Sequence, residues 1–108
     1  MTERDDEWVE EVARLVRGAM QSIAPAWRRA TVRFAWDGGC FSTRVSYADA
    51  HDPLPVDAVR HRALFVRLQQ AGRRLRPATS SPVVCDVDID AGGAVRFRAG
   101  SARAPARG

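Results

Sequence analysis

From Trp8 to Ile23 the apolar residues fall at Trp8, Val12, Leu15, Val16, Ala19, Met20 and Ile23, a spacing that places them along one face of an α-helix. The opposite face carries Glu10, Glu11, Arg14, Arg17 and Gln21, and Glu10 followed by Arg14 is the favoured order for an ion pair one helical turn apart. Asp5, Asp6 and Glu7 stand where carboxylates cap free amides and favour the positive end of a helix, and Pro25 stops it. The period then drops to two. Val32, Phe34 and Trp36 alternate with Thr31, Arg33 and Ala35, and after Asp37-Gly38-Gly39 the alternation resumes with Phe41, Thr43, Val45 and Tyr47 against Ser42, Arg44 and Ser46. That is a hairpin with one greasy and one polar face, as expected of a sheet covered on a single side.

The same order repeats further along. Ala48 to Pro55 has the composition of a loop. Val56, Val59, Ala63, Leu64, Leu68, Ala71 and Leu75 predict a second helix over Val56 to Leu75, widened by Phe65 and Val66 and ended by Pro77. Val83, Cys85, Val87 and Ile89 then alternate with Val84, Asp86, Asp88 and Asp90, and Val95 to Arg98 follow a turn at Ala91-Gly92-Gly93. Val95 and Phe97 point to the core. Arg96 and Arg98 share the outer face with Asp86 and Asp88, so cross-strand ion pairs are expected. The pattern predicts one α+β domain over residues 1–98, in the order α-β-β-α-β-β, with two helices packed on one face of a four-stranded antiparallel sheet. Residues 99–108, rich in Arg and Ala, read as a tail.

Composition changes this picture little. With 108 residues, 45% apolar and 28% charged, the chain suits a single hydrophobic core. No apolar run approaches the roughly 18 residues a membrane span needs. The start, Met1 to Asp6, is acidic where an export signal would be basic and then apolar, so a cytoplasmic location is expected. Every one of the 17 basic residues is Arg, a bias that a GC-rich genome produces, so the net charge of +4 is weak evidence for nucleic-acid binding. Cys40 and Cys85 lie in separate strands without metal-ligand spacing and read as packing residues.

Little in the chain suggests chemistry. Asp86, Asp88 and Asp90 share one side of a strand, but a straight strand cannot wrap an ion as a calcium loop does, and arginines are their expected neighbours. His51 and His61 read as surface residues. No GxSxG, HExxH or P-loop string is present, and no catalytic residue, metal or cofactor is assigned. Arg73, Arg74 and Arg76 could meet phosphates, yet cations also favour a helix C-terminus, and Trp27, Trp36, Phe41 and Phe97 fall mostly on the core face instead of forming a base-stacking platform.

Three strings carry a resemblance: Ile23-Ala24-Pro25-Ala26-Trp27, Leu64-Phe65-Val66-Arg67-Leu68, and the closing hairpin from Val87-Asp88-Ile89-Asp90 through Gly92-Gly93 to Val95-Arg96-Phe97. Together with the element order over residues 8 to 98, they resemble the YezG-like immunity proteins of bacterial polymorphic toxin systems, which show an I-P-x-x-W segment, an L-F-x-x-L-R helix and a terminal hairpin with a Gly turn. The resemblance implies a non-enzymatic protein that binds the toxic domain of a cognate toxin and occludes its active site. Family members are typically acidic; the basic balance here leaves the toxin's reaction open. The expected partner-binding residues are Arg33, Arg44, Asp86, Asp88, Arg96 and Arg98 on the polar sheet face, with Asp49, His51 and Asp52 in the loop. Other readings are a secretion-chaperone-like interaction module acting as a homodimer and, third, a basic nucleic-acid binder. A monomer and a homodimer both stay open, and no membrane partner is expected.

Overall fold

The computed structural model describes residues 3–37, 40–49, 53–74 and 83–101, with side chains described from Glu7 to Trp36 and from Cys40 to Arg98 within these ranges. Helix α1 runs over Glu3–Ile23 and is followed by strands β1 (Arg29–Asp37) and β2 (Cys40–Ala48). A short strand β3 (Leu54–Pro55) precedes helix α2 (Arg62–Arg74), and β4 (Val83–Asp90) and β5 (Val95–Ser101) close the fold. The class is α+β, with both helices over one face of an antiparallel sheet ordered β3-β2-β1-β4-β5.

The sheet therefore has five strands where the alternation predicts four. The extra one is β3, whose two residues pair with Ser46 and Tyr47 and whose end is fixed by the Val56 N–H donating to the Val45 carbonyl at 2.8 Å. Pro53 and Pro55 hide it from a pattern search, because proline signals a loop, yet an edge strand tolerates proline. β5 also continues past Arg98, pairing Ala99, Gly100 and Ser101 with Cys85, Val84 and Val83. The rest of the expected tail, residues 102–108, lies outside the described residues.

Both helix starts shift. α1 begins at Glu3, so Asp5 and Asp6 lie inside its first turns instead of ahead of them. α2 begins at Arg62, not Val56: the Val56 N–H is drawn onto the sheet edge by the Val45 carbonyl, and the turn that leads into the helix is capped by the Asp57 carboxylate, which accepts the N–H groups of Val59 (2.8 Å) and Arg60 (3.2 Å). Val59 is consequently exposed, as are Ala63 and Val66, whereas Val56, Leu64, Leu68 and Ala71 are buried as the periodicity predicts. Leu75 lies outside the described residues. Cys85 is buried, but Cys40 stands on the other face and is exposed, against the expectation of a packing role for both.

The core lies between the helices and the face carrying Ala30, Val32, Phe34, Val45, Val87 and Ile89. The register places Val45, Val32, Val87 and Phe97 in one line across β2, β1, β4 and β5. Phe34, fully buried, is the hub: its ring lies 5.3 Å from Trp8, 6.2 Å from Trp36 and 6.0 Å from Phe41, centroid to centroid. Trp8 of α1 also donates its indole N–H to the Ala71 carbonyl of α2, satisfying an acceptor at a helix end where the intrahelical ladder runs out. Each large side chain buried here contributes about 1.5–3 kcal/mol.

Candidate protein-binding face

With the core residues of each strand committed to the helices, strand alternation turns the intervening residues to the uncovered face of the sheet. The register sets them in two rows. One reads Arg44, Arg33, Asp86, Arg98 across β2, β1, β4 and β5; the next reads Ser46, Thr31, Asp88, Arg96. Six of the sequence-predicted residues, Arg33, Arg44, Asp86, Asp88, Arg96 and Arg98, are thus brought together on one surface.

Asp86 is the anchor of this surface. Arg33 grips it with two parallel bonds, Nε to Oδ1 at 2.8 Å and Nη2 to Oδ2 at 2.9 Å, the fork geometry that makes guanidinium–carboxylate pairs strong. That hydrogen bond, and then the Asp86 charge itself, raise the Arg33 pKa above its ordinary value. Arg98 closes over the two carboxylates, 2.9 Å from Asp88 and 3.5 Å from Asp86. The Thr31 hydroxyl donates to the remaining Asp88 oxygen at 2.8 Å. Asp86 is left 7% exposed although it points away from the core, because the guanidinium groups cover it. Each carboxylate is held from two sides.

Arg44 and Arg96 behave differently. Arg44 stands opposite Arg33, whose charge is turned toward Asp86, and Arg96 stands opposite Asp88, whose oxygens are taken by Thr31 and Arg98. Among the described residues neither forms an ion pair. Both are exposed. The face therefore has a tied centre and cations on either side of it.

The loop part of the prediction is less defined. Asp49 follows the end of β2, half-buried and engaged with its surroundings; His51 and Asp52 lie outside the described residues. Asp90 accepts the Gly92 N–H at 2.6 Å, so it serves the hairpin turn, and among the described residues no group of three metal-ligating side chains converges. Trp27 is buried, and Trp36, Phe41 and Phe97 pack against the core.

Sequence reasoning placed Thr31 on the polar side but could not see it as a brace for Asp88, because strand order decides which residue it faces. It also missed an open groove of about 540 Å³ between the helices, lined by Glu11, Leu15, Arg67, Gln70, Arg73 and Arg74. Arg74 pairs with Glu11 there, tying the end of α2 to α1. The signal was present as helix-face charge, but the helix crossing that joins the two faces is a tertiary feature. No helix among the described residues is long and apolar enough to cross a membrane.

No protein-family model matches the chain, and no curated protein matches it. The resemblance to the YezG-like family rests on the three strings and the element order read from the sequence.

Proposed function

We propose that this protein is a cytoplasmic immunity protein that binds the toxic domain of a bacterial polymorphic toxin and occludes its active site. The observation that carries the reading is the uncovered sheet face, where a pre-tied lattice of Arg33, Asp86, Asp88 and Arg98 is flanked by exposed Arg44 and Arg96. A surface whose charges already hold one another loses little side-chain entropy on association, and the exposed cations at its sides, without ion pairs among the described residues, suit an acidic partner. Asp49, His51 and Asp52, named from the sequence, belong to the same reading. Inhibition by occlusion needs complementary shape and charge, and an exposed, charged sheet face supports that reading.

The test is capture with the tagged protein from its native host, followed by expression of the C-terminal domain of any large multidomain protein recovered. Growth arrest relieved by co-expression of this chain is the expected result. A recovered domain that is harmless alone, or capture of nothing but the chain itself, overturns the reading.

A further inference from the structure

We propose that the outer edge of β5 is a docking edge, on which an extended acidic segment of a partner protein adds as a further antiparallel strand of the sheet. Among the described residues the sheet ends at β5 on one side and at β3 on the other. The two edges are built differently. β3 is two residues long and includes Pro55, which has no N–H to offer; short length and proline are the devices that close an edge. β5 is seven residues long and has no proline.

The hairpin decides which backbone groups of β5 face outward. The Asp90 N–H donates to the Ala94 carbonyl at 2.8 Å, so Asp90 and Ala94 are a hydrogen-bonded pair. Alternation along an antiparallel ladder then turns the backbone groups of Arg96, Arg98 and Gly100 toward β4, and those of Val95, Phe97, Ala99 and Ser101 away from it. Outward N–H and C=O groups in this spacing are the template that strand addition uses.

Charge selects the occupant. Both polar rows of the open face end on an arginine at β5: Arg96, which forms no ion pair among the described residues, and Arg98, whose guanidinium also holds Asp88 at 2.9 Å. An added antiparallel strand with carboxylates two residues apart sets one opposite each arginine. Those positions are the non-hydrogen-bonded sites of the new ladder, where facing side chains lie closest. The residue between the carboxylates falls opposite Phe97, on the apolar side. A second copy of this chain is a poor occupant, because two β5 strands paired about Phe97 set Arg96 of one against Arg98 of the other. The docking edge serves any partner that offers such a strand and does not depend on that partner being a toxin.

The probe is a synthetic peptide, Thr-Val-Glu-Val-Glu-Val-Thr, titrated into the isotope-labelled full chain while backbone amide resonances are followed. The expected result is that the amides of Val95, Phe97 and Ala99 shift most and those of Leu54 and Val56 do not. N-methylation of the valine between the two glutamates abolishes binding, whereas N-methylation of either glutamate, whose N–H points away from β5, leaves it intact. Arg96→Glu weakens binding about tenfold, the scale of one exposed charge reversed against its partner. Absence of shifts along β5 overturns the proposal. So does binding that survives methylation of the central valine, which would be charge attraction without a ladder, or equal binding of the peptide with Lys in place of Glu.

Discussion

A β-carbon built on Gly72 would stand 2.7 Å from Cδ1 of Phe34 and 2.5 Å from Cζ of Phe41, so α2 rests on the sheet at a separation that glycine permits and alanine does not. Phe34 is fully buried and ringed by Trp8, Trp36 and Phe41, which leaves it no room to retreat. Replacing a mid-helix glycine by alanine ordinarily stabilises by about 1 kcal/mol. At Gly72 overpacking outweighs that gain, and Gly72→Ala is expected to destabilise by about 1–3 kcal/mol in denaturant unfolding. Gly18, with nothing within 4 Å of its would-be β-carbon, is the internal control. Gly18→Ala should stabilise; equal effects at the two sites would refute the close approach.

The lattice on the open face yields a second contrast. Arg33→Ala removes both bonds of the fork and leaves Asp86, 7% exposed, with Arg98 at 3.5 Å as its remaining cation. Because the Arg33 side chain is itself more than half exposed, solvent screens part of the loss, and about 1–2 kcal/mol is expected. Arg44→Ala removes a like charge opposite Arg33 and should be neutral or slightly stabilising. Paired thermal or urea unfolding of the two variants measures the difference, and indistinguishable midpoints would mean the fork contributes nothing.

Alternation and helical periodicity were legible because burial is one-sided in both. Val32, Phe34, Val45, Val87 and Ile89 on the inner face and Arg33, Asp86 and Arg98 on the outer one follow from spacing alone. What spacing cannot hold is strand order. The insertion of β1 between β2 and β4 puts Arg33 beside Asp86 and Thr31 beside Asp88, contacts 53 and 57 residues apart in the chain. Local competition caused the other misreadings. Val56 gave its N–H to Val45 at the sheet edge instead of opening a helix, and Pro55 disguised a strand as a loop.

The Asp57 turn is predicted to be sensitive to acid. Its carboxylate accepts the Arg60 and Val59 N–H groups, and these bonds hold its pKa below the ordinary value. A depressed carboxylate pKa means the stabilising bonds are present above the unfolded-state pKa and are lost as pH falls through the lower folded-state value. The amide resonances of Val59 and Arg60 should therefore titrate together, with a midpoint below that of an unstructured aspartate. In Asp57→Asn, whose amide oxygen can still accept both bonds, that titration should vanish while the turn persists. A midpoint at or above the ordinary aspartate value would show that the bonds do not form in solution.

The proposed binding face is best tested where folding is least at risk. Arg33, Asp86, Asp88 and Arg98 hold one another, so substituting any of them confounds loss of binding with loss of order. Arg44 and Arg96 are exposed, lie on either side of that lattice and form no ion pair among the described residues. The double variant Arg44→Glu/Arg96→Glu should keep its unfolding midpoint within the range of ordinary surface changes, about 0.5 kcal/mol. Against a captured toxin domain it should bind at least about tenfold more weakly, chiefly through slower association, and the defect should shrink as salt is raised. Protection of cells by the variant should fall in step. Unchanged affinity at low salt would move the toxin-binding site off this face, and would do so without any ambiguity from misfolding.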